Sequence, residues 1–338
     1  MYSLQRSPAR GFSLPPLCRA CALLAVVCVA SAVATSAAAE YPDRPIRLIV
    51  ASAPGGGPDT SSRLIAAELV KQIRQQVVVD NRPGASGSIG TELIARAAPD
   101  GYTIGQGNFS TLGTNRTILP RLPYDPDKDL QMVVHMYMTP NLLAVAPQLP
   151  VNSVQELIDH ARRNPGQLMF ASSGNGTSMH FGGELFKQLT GVDMVHVPYK
   201  AAQQGVTDLI GGQVQLMFDN VTSIGVHVKA GRVRGLAVTA PKRVPAYPEL
   251  PTVAESGVPG YEITPWGGII VPAGVPKVII ARLNAEVNKA LMSPTIREKF
   301  AALGNEIVGG TPEQFAAHVK KEVAKWADVA KRAGVKAE

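Results

Sequence analysis

The sequence predicts an α/β fold with largely parallel sheets, and three observations carry that prediction. Apolar runs of strand length alternate with amphipathic runs of helix length. Gly/Ser/Pro loops separate the two kinds of run. Glycine and proline account for 59 of 338 residues, about 17% against roughly 12% in average usage, which leaves little room for a coiled coil or helical bundle. At 45% hydrophobic the chain is also too apolar to be disordered. Its length fits about two domains.

The elements follow in order. Ile46–Ser52 (IRLIVAS) reads as a buried strand and Ala53–Pro58 as a loop. Asp59 is placed to cap a helix whose apolar positions are Leu64, Ile65, Leu69 and Ile73. A strand is predicted at Val77–Val79, a loop at Asn81–Gly87, a helix at Ser88–Ala97 and a strand at Tyr102–Gly105. Asn141–Ala146 reads as a strand, and Ser153 with Glu156 as a capping box ahead of Leu157–Arg163. Next come strand Leu168–Ala171, loop Ser172–Ser178 and helix Met179–Leu189. Strands at Val195–Val197, Leu216–Phe218 and Gly235–Val238 complete the set, with short helices around Gln204–Ile210 and Ser223–Ala230. The C-terminal part reads as helical: Lys277–Met292, Ser293–Leu303, and a last helix started by Thr311, Pro312 and Gln314 and running through Trp326 to Arg332. No repeat or flexible linker follows residue 40. Two domains without a linker imply that the chain crosses between them more than once.

The first 39 residues read as an address. Arg6, Arg10 and Arg19 are followed by an apolar run from Ala20 to Val33, then by Ala37-Ala38-Ala39 before Glu40. This is the layout of a secretory signal peptide, cleaved near Ala39. The alternative, a membrane anchor, needs roughly 20 apolar residues where this run has about 14. Cys18, Cys21 and Cys28 all lie in this segment. Val27 before Cys28 suits lipid attachment poorly. The expected mature chain is periplasmic and has no disulfide, thiol nucleophile or thiolate metal site. The three arginines also explain much of the net charge of +7; without them 30 basic side chains face 26 acidic ones, a balance of +4. The remaining cations are dispersed and are not interleaved with aromatics, so no nucleic-acid partner is expected.

Three loops follow strands and lead into helices: Ala53–Asp59, Gly105–Gly113 and Ser172–Ser178. Ligands of open α/β sheets bind beyond the strands' carboxyl ends, where helix N-termini present free N–H groups. Such loops suit an anion, particularly a carboxylate; equally, they are ordinary strand-to-helix turns. Nucleotide motifs fail on detail. Gly57 is followed by Pro58 and Asp59 rather than Lys-Ser/Thr, and Met179 stands where a third glycine would complete a Gly174-Asn175-Gly176 fingerprint. A secreted serine hydrolase using Ser86 or Ser173 lacks a recognisable base, and Ser88 replaces the glycine of a nucleophile elbow. None of the six histidines has metal-ligand spacing, so neither a metal nor a cofactor is expected. His180 either faces a ligand or satisfies a loop carbonyl. Asp219 is either a pocket residue or a helix cap. Trp266 is either interior packing or a ligand platform.

The chain resembles the Bug-type extracytoplasmic solute receptors, the binding proteins of tripartite tricarboxylate transporters. The resemblance runs from Tyr41-Pro42-Asp43-Arg44-Pro45 to Lys331-Arg332-Ala333-Gly334-Val335. Its landmarks include Ala53-Pro54-Gly55-Gly56 with Asp59, Val79-Asp80-Asn81-Arg82-Pro83-Gly84-Ala85, Ser172-Ser173-Gly174-Asn175-Gly176-Thr177, Val197-Pro198-Tyr199-Lys200 and Leu236-Ala237-Val238-Thr239. Each is weak alone; their order and spacing together are specific.

The resemblance implies a two-domain periplasmic-binding-protein fold of type II, a Venus flytrap with two crossover strands. Domain 1 would comprise about 40–141 plus 265–338, and domain 2 about 142–264. It implies a non-enzymatic, monomeric receptor that captures a small organic carboxylate and delivers it to membrane permease subunits. A receptor of the same fold that feeds a two-component sensor is the alternative. Ligand contacts carried over by position are Ala53, Pro54, Gly55, Gly56, Asp59 and Thr60; Asn108 and Ser110; and Ser173, Gly174, Asn175, Gly176, Thr177, Ser178, His180 and Asp219. In the family one carboxylate is held by backbone groups and ordered waters near the first loop. The sequence departs from the pattern after Lys200, where Ala201 and Gln204 replace the usual glycine and proline. Gln204, with Gln203 beside it, either reaches the far end of a ligand or caps the next helix.

Overall fold

The computed structural model describes residues 41–335. The signal-peptide segment, its cysteines and the cleavage point lie outside them. Two sheets organise the described chain. The first holds β1 (Ile46–Val50), β2 (Val77–Asn81), β3 (Thr103–Asn108), β4 (Leu130–Met138), β10 (Trp266–Pro272) and β11 (Glu306–Gly309), in the order β11-β4-β10-β3-β1-β2. The second holds β5 (Asn141–Val145), β6 (Leu168–Ser172), β7 (Met194–Pro198), β8 (Leu216–Asn220) and β9 (Arg234–Val238), in the order β7-β6-β8-β5-β9. The helices are α1 (Gly57–Ile73), α2 (Ser88–Ala95), α3 (Asn115–Ile118), α4 (Val154–Arg163), α5 (Ser178–Thr190), α6 (Ala202–Gly211), α7 (Val221–Lys229), α8 (Lys277–Met292), α9 (Pro294–Ala302) and α10 (Pro312–Ala333).

Both sheets are mixed, which corrects the expectation of largely parallel ones. β1 pairs in parallel with β2 and β3, whereas β10 is antiparallel to both β3 and β4, and β11 to β4. In the second sheet β6 is parallel to β7 and β8, while β5 is antiparallel to β8 and β9. The antiparallel members are where the chain changes sheets. It leaves the first sheet after Met138, enters the second at Asn141, and returns between Val238 and Trp266. The two passages lie side by side: Thr139 N donates to Pro265 O at 2.8 Å, and Thr239 N donates to Asn141 O at 2.9 Å.

Three strands have no counterpart in the sequence prediction, and each hides for a different reason. β4 (LQMVVHMYM) carries His135 within an apolar run, buried where its ring stacks on Phe315 at 5.2 Å. β10 (WGGIIVP) carries two glycines directly after Trp266, a pattern that weakens any strand signal. β11 has only four residues. Asp59 does not cap α1; Gly56 is the N-cap and Asp59 lies within the first turn. Ser153 does cap α4, accepting from Glu156 N, but Glu156 reaches back to Asn152 N instead of closing the box on Ser153. The predicted Gly105–Gly113 loop is strand as far as Asn108, then a π-helical turn from Phe109 to Thr114.

The sheets are stabilised by burial. Leu48, Ile49 and Val50 of β1, like Leu142, Leu143, Ala144 and Val145 of β5, are essentially inaccessible. Truncating any one of the larger of these to alanine costs about 2–5 kcal/mol. The burial of β5 on both faces explains why Leu142–Val145 reads as a continuous apolar run, whereas β1 is interrupted by the half-exposed Arg47.

Candidate functional site

The carboxyl ends of the strands open on a cavity of about 620 Å³. Five helices begin on it. Their N-cap residues, Gly56 (α1), Gly87 (α2), Thr177 (α5), Ala201 (α6) and Asn220 (α7), all line the cavity. Only Thr177 makes a side-chain cap, to His180 N; the other four helix starts have none. Some first-turn donors are already used or missing: Val221 N donates to Pro140 O, Ser88 N to Ala85 O and Gln204 N to Ala201 O, and Pro58 has no N–H. The remaining N–H groups sit at the positive ends of helix dipoles. Converging on one cavity, they make it attractive to an anion. Lys200 adds a cation, and among the described residues no acidic side chain lines the wall. Ser52 and Thr139 also line it, and neither hydroxyl has a hydrogen-bond partner within the protein.

The first loop is braced by charge. The buried Asp59 carboxylate accepts from Gly55 N at 2.8 Å, from Asn81 Nδ2 at 2.9 Å and from Arg63 Nε at 3.0 Å. Burial alone would raise the Asp59 pKa; the hydrogen bonds from Arg63, Gly55 and Asn81 outweigh it and hold the carboxyl below its usual range. The loop approaches the second sheet closely. A Cβ on Gly57 would lie 2.6 Å from Thr222 Oγ1 and 2.8 Å from Asn220 Oδ1, so only glycine fits.

A second strand-to-helix turn, Gly84–Gly87, has four successive positive φ angles. Ala85 (φ 46°) and Ser86 (φ 53°) adopt this conformation at a cost that glycine avoids. Asn115 Nδ2 holds Ser86 O at 3.0 Å, and Ser86 Oγ donates to Asn175 O across the cavity. Thr114 Oγ1 donates to Gly176 O at 2.6 Å from the same side. Loops from the two sheets are therefore hydrogen-bonded to each other.

The Ser172–Ser178 loop is braced without charge. Ser172 Oγ accepts from Gly174 N at 3.1 Å and lies 2.6 Å from His196 Nε2. Thr177 Oγ1 donates to Gly174 O at 2.8 Å, and His180 Nδ1 accepts from Gly176 N at 3.1 Å. The His180 and His196 rings stack with centroids 3.9 Å apart. Burial pushes His180 down to about 4, with Lys187 adding to the effect. Burial, then His180 and Lys187, take His196 to about 3. Both rings are neutral near pH 7, as a stacked pair requires. The Ser172–His196 contact is a loop brace and not a nucleophile pair, because Ser172 is fully buried.

The expected site residues divide between the cavity and its supports. Ala53, Gly56, Asn108, Ser110, Ser173, Gly174, Asn175, Thr177 and Ser178 line the cavity. Pro54 and Gly55 are exposed and are not part of the lining. Asp59, Thr60, Gly176 and His180 lie outside the lining; Asp59 and His180 act on the loops from behind. Asp219 does not line the cavity and takes neither expected role: its carboxylate accepts from Ser223 Oγ and from Asn220 N, each at 2.7 Å, while Asn220 is the N-cap of α7 and no side chain caps that helix. Strand alternation keeps it out of the lining: Asn220 faces the cavity, so its neighbour faces the other way. Burial raises the Asp219 pKa to about 7, against the bonds from Ser223 and Asn220 N. Gln204 is exposed, whereas Gln203, about 100° around α6, lines the cavity. Trp266 is both packed and lining: it is 1% exposed and forms part of the wall.

Sequence reasoning missed Gly84, Ser86, Gly87, Lys200 and Asn220. The same rule that selected three loops, applied to the β2–α2, β7–α6 and β8–α7 turns, would have found them. A larger depression of about 1010 Å³ lies elsewhere, walled mainly by β4, α8 and α10. The N-termini of α8, at Lys277, and of α10, whose Thr311 and Gln314 already form a capping box, open on it, and its wall carries the acidic side chains Asp127 and Glu313. Among the described residues no cluster of three or more His, Cys, Asp or Glu side chains is placed to hold a metal, and no helix is long and apolar enough to cross a membrane.

Two mixed sheets joined by paired crossovers, with helix N-termini converging between them, define the solute-binding receptors of the periplasmic-binding-protein type. The chain belongs to the tripartite tricarboxylate transporter family receptors (TctC), whose family model matches residues 61–335. It is 35% identical to protein BugT of Bordetella pertussis, over 94% of this chain and 98% of that protein. Among solved structures it is similar to R. palustris Rpa4515 with adipate, with TM-score 0.87, 40% identity and coverage of 88% and 100% of the two chains. It is also similar to MatC from Rhodopseudomonas palustris with bound malate, with TM-score 0.81, 32% identity and coverage of 86% and 99%. Receptors of this family are periplasmic solute-binding proteins rather than enzymes.

Proposed function

We propose that this protein is a periplasmic receptor that captures a small organic carboxylate in the 620 Å³ cavity and delivers it to the membrane permease subunits of a tripartite tricarboxylate transporter. One observation carries the reading: five helix N-termini, four without a side-chain cap, open on one cavity whose wall, among the described residues, has a lysine and no acid. A carboxylate satisfies several of those N–H groups at once. Adipate and malate, the ligands of two similar receptors, are both small dicarboxylates.

In this reading residues 1–39 are removed near Ala39, the mature chain acts as a monomer, and it has no catalytic role. The domains are 40–141 with 265–338, and 142–264; the two sheet changes support these boundaries. The ligand closes the domains over itself by bending at the paired crossovers. Isothermal titration of ligand-free, refolded protein against a panel of mono-, di- and tricarboxylates tests the proposal. Saturable binding of one acid supports it; no heat with any member of the panel overturns it.

A further inference from the structure

Both tryptophans of the chain donate to one carboxylate oxygen. Trp266 Nε1 lies 3.0 Å and Trp326 Nε1 2.8 Å from Glu322 Oε2. Glu322 is 8% exposed and sits one turn before Trp326 on α10, a helix that contributes no residue to the cavity. Trp266 lines the cavity at the start of β10, immediately after the returning crossover. Trp326 meets the ring of Phe109, a second lining residue, edge-on at 5.0 Å. His318 packs on Trp266 from the same helix at 5.0 Å.

A buried carboxylate shared by two indoles is a costly arrangement that two charge-assisted hydrogen bonds stabilise. Its geometric consequence falls on the cavity. With its N–H committed to Glu322, Trp266 has only ring surface to offer a ligand. We propose that Glu322 is a positioning residue of the binding site. It fixes Trp266 so that the indole presents apolar surface to the carbon skeleton of the bound acid, and it steadies Phe109 through Trp326. The ligand arm of this inference rests on the receptor reading above; the spectroscopic arm does not.

The test uses the full mature chain in two arms. In the first, Trp326→Phe leaves Trp266 as the single fluorophore, and Glu322→Gln is added to it. The ligand-free emission and near-ultraviolet circular dichroism of Trp266 are expected to change on adding Glu322→Gln; unchanged spectra overturn the proposal. In the second arm, Kd for adipate is measured on the unsubstituted protein, Glu322→Gln, Trp266→Phe and the double variant. Glu322→Gln is expected to weaken binding about tenfold where Trp266 is present and less than twofold in the Trp266→Phe background. An equal loss in both backgrounds shows that Glu322 does not act through Trp266 and overturns the inference. If the unsubstituted protein binds no acid of the mono-, di- and tricarboxylate panel, the receptor reading is what fails, and the spectra alone decide the role of Glu322; if it binds another acid of the panel and not adipate, that acid replaces adipate in the second arm. Should Glu322→Gln not fold, Glu322→Asp takes its place in both arms.

Discussion

The Ala53–Asp59 and Ser172–Ser178 loops do the same work by different means. Each follows a buried strand and opens a helix on the cavity. The first is tied down by an ionised carboxylate with an arginine partner, the second by hydroxyls and neutral imidazoles. Backbone donors must be held rigidly to greet an anion, and the chemistry of the holding group is free to vary. What differs is how each loop fails.

The largest expected effect comes from Asp59→Ala. It strands Gly55 N, Asn81 Nδ2 and Arg63 without their acceptor and should lower stability by about 3 kcal/mol, read from urea unfolding. A loss below about 0.5 kcal/mol would show that the charged brace is decorative. Next comes Gly57→Ala, whose methyl meets Thr222 and Asn220. It should weaken carboxylate affinity ten- to a hundredfold, about 1.4–2.8 kcal/mol, with little change in unfolding, because the clash opposes approach of the two sheets and not either core. An unchanged Kd by calorimetry would place the closed arrangement outside the binding cycle.

The third effect is in pH and separates the loops directly. His180 is held at about 4 in the folded chain but takes a proton below about 6.5 when unfolded. Between those values the unfolded state binds more protons, so the second loop's contribution, complete above about 6.5, is lost as pH falls toward 4. His196, at about 3, acts in the same direction. Asp219, raised to about 7, acts in the opposite one, because its folded carboxyl keeps a proton that the unfolded chain releases above about 4. The Asp59 brace is intact throughout this window, since its carboxyl is held below the usual range. His180→Gln should therefore flatten the acid loss of stability by about 1–2 kcal/mol between pH 7 and pH 4.5, measured by denaturant titrations across that range; an identical slope would remove the imidazole from the account. The smallest effect belongs to Lys200→Gln, an exposed rim cation: a two- to threefold weaker Kd at low salt, vanishing at about 0.5 M salt.

Much of this contrast was legible in the residues. The strand–loop–helix units, the Thr311 capping box and the place of the Gly/Ser loops at helix N-termini all follow from local pattern. What local pattern does not carry is direction and partnership. β10 packs between β3 and β4, and nothing near Trp266 announces that its neighbours lie far away in sequence. Gln203 and Gln204 are chemically identical, and only the phase of α6 decides that the first faces the cavity. For His180 and Asp219 the sequence left a pocket role and a supporting role both open, because the choice depends on which way a helix or strand turns its side chain.

The strand order has one more consequence, for how the molecule comes into being. All five strands of the second sheet lie within residues 141–238, whereas the first sheet takes strands from Ile46 to Gly309 and places β10 at its centre. A chain emerging N-terminus first completes the strand set of the second sheet while β3 and β4 still wait for the strand that joins them. Until then their edges are open to wrong partners. A nascent chain halted anywhere between residues 239 and 265 thus holds every strand of one sheet and four of the six of the other, with β4 parted from β1, β2 and β3.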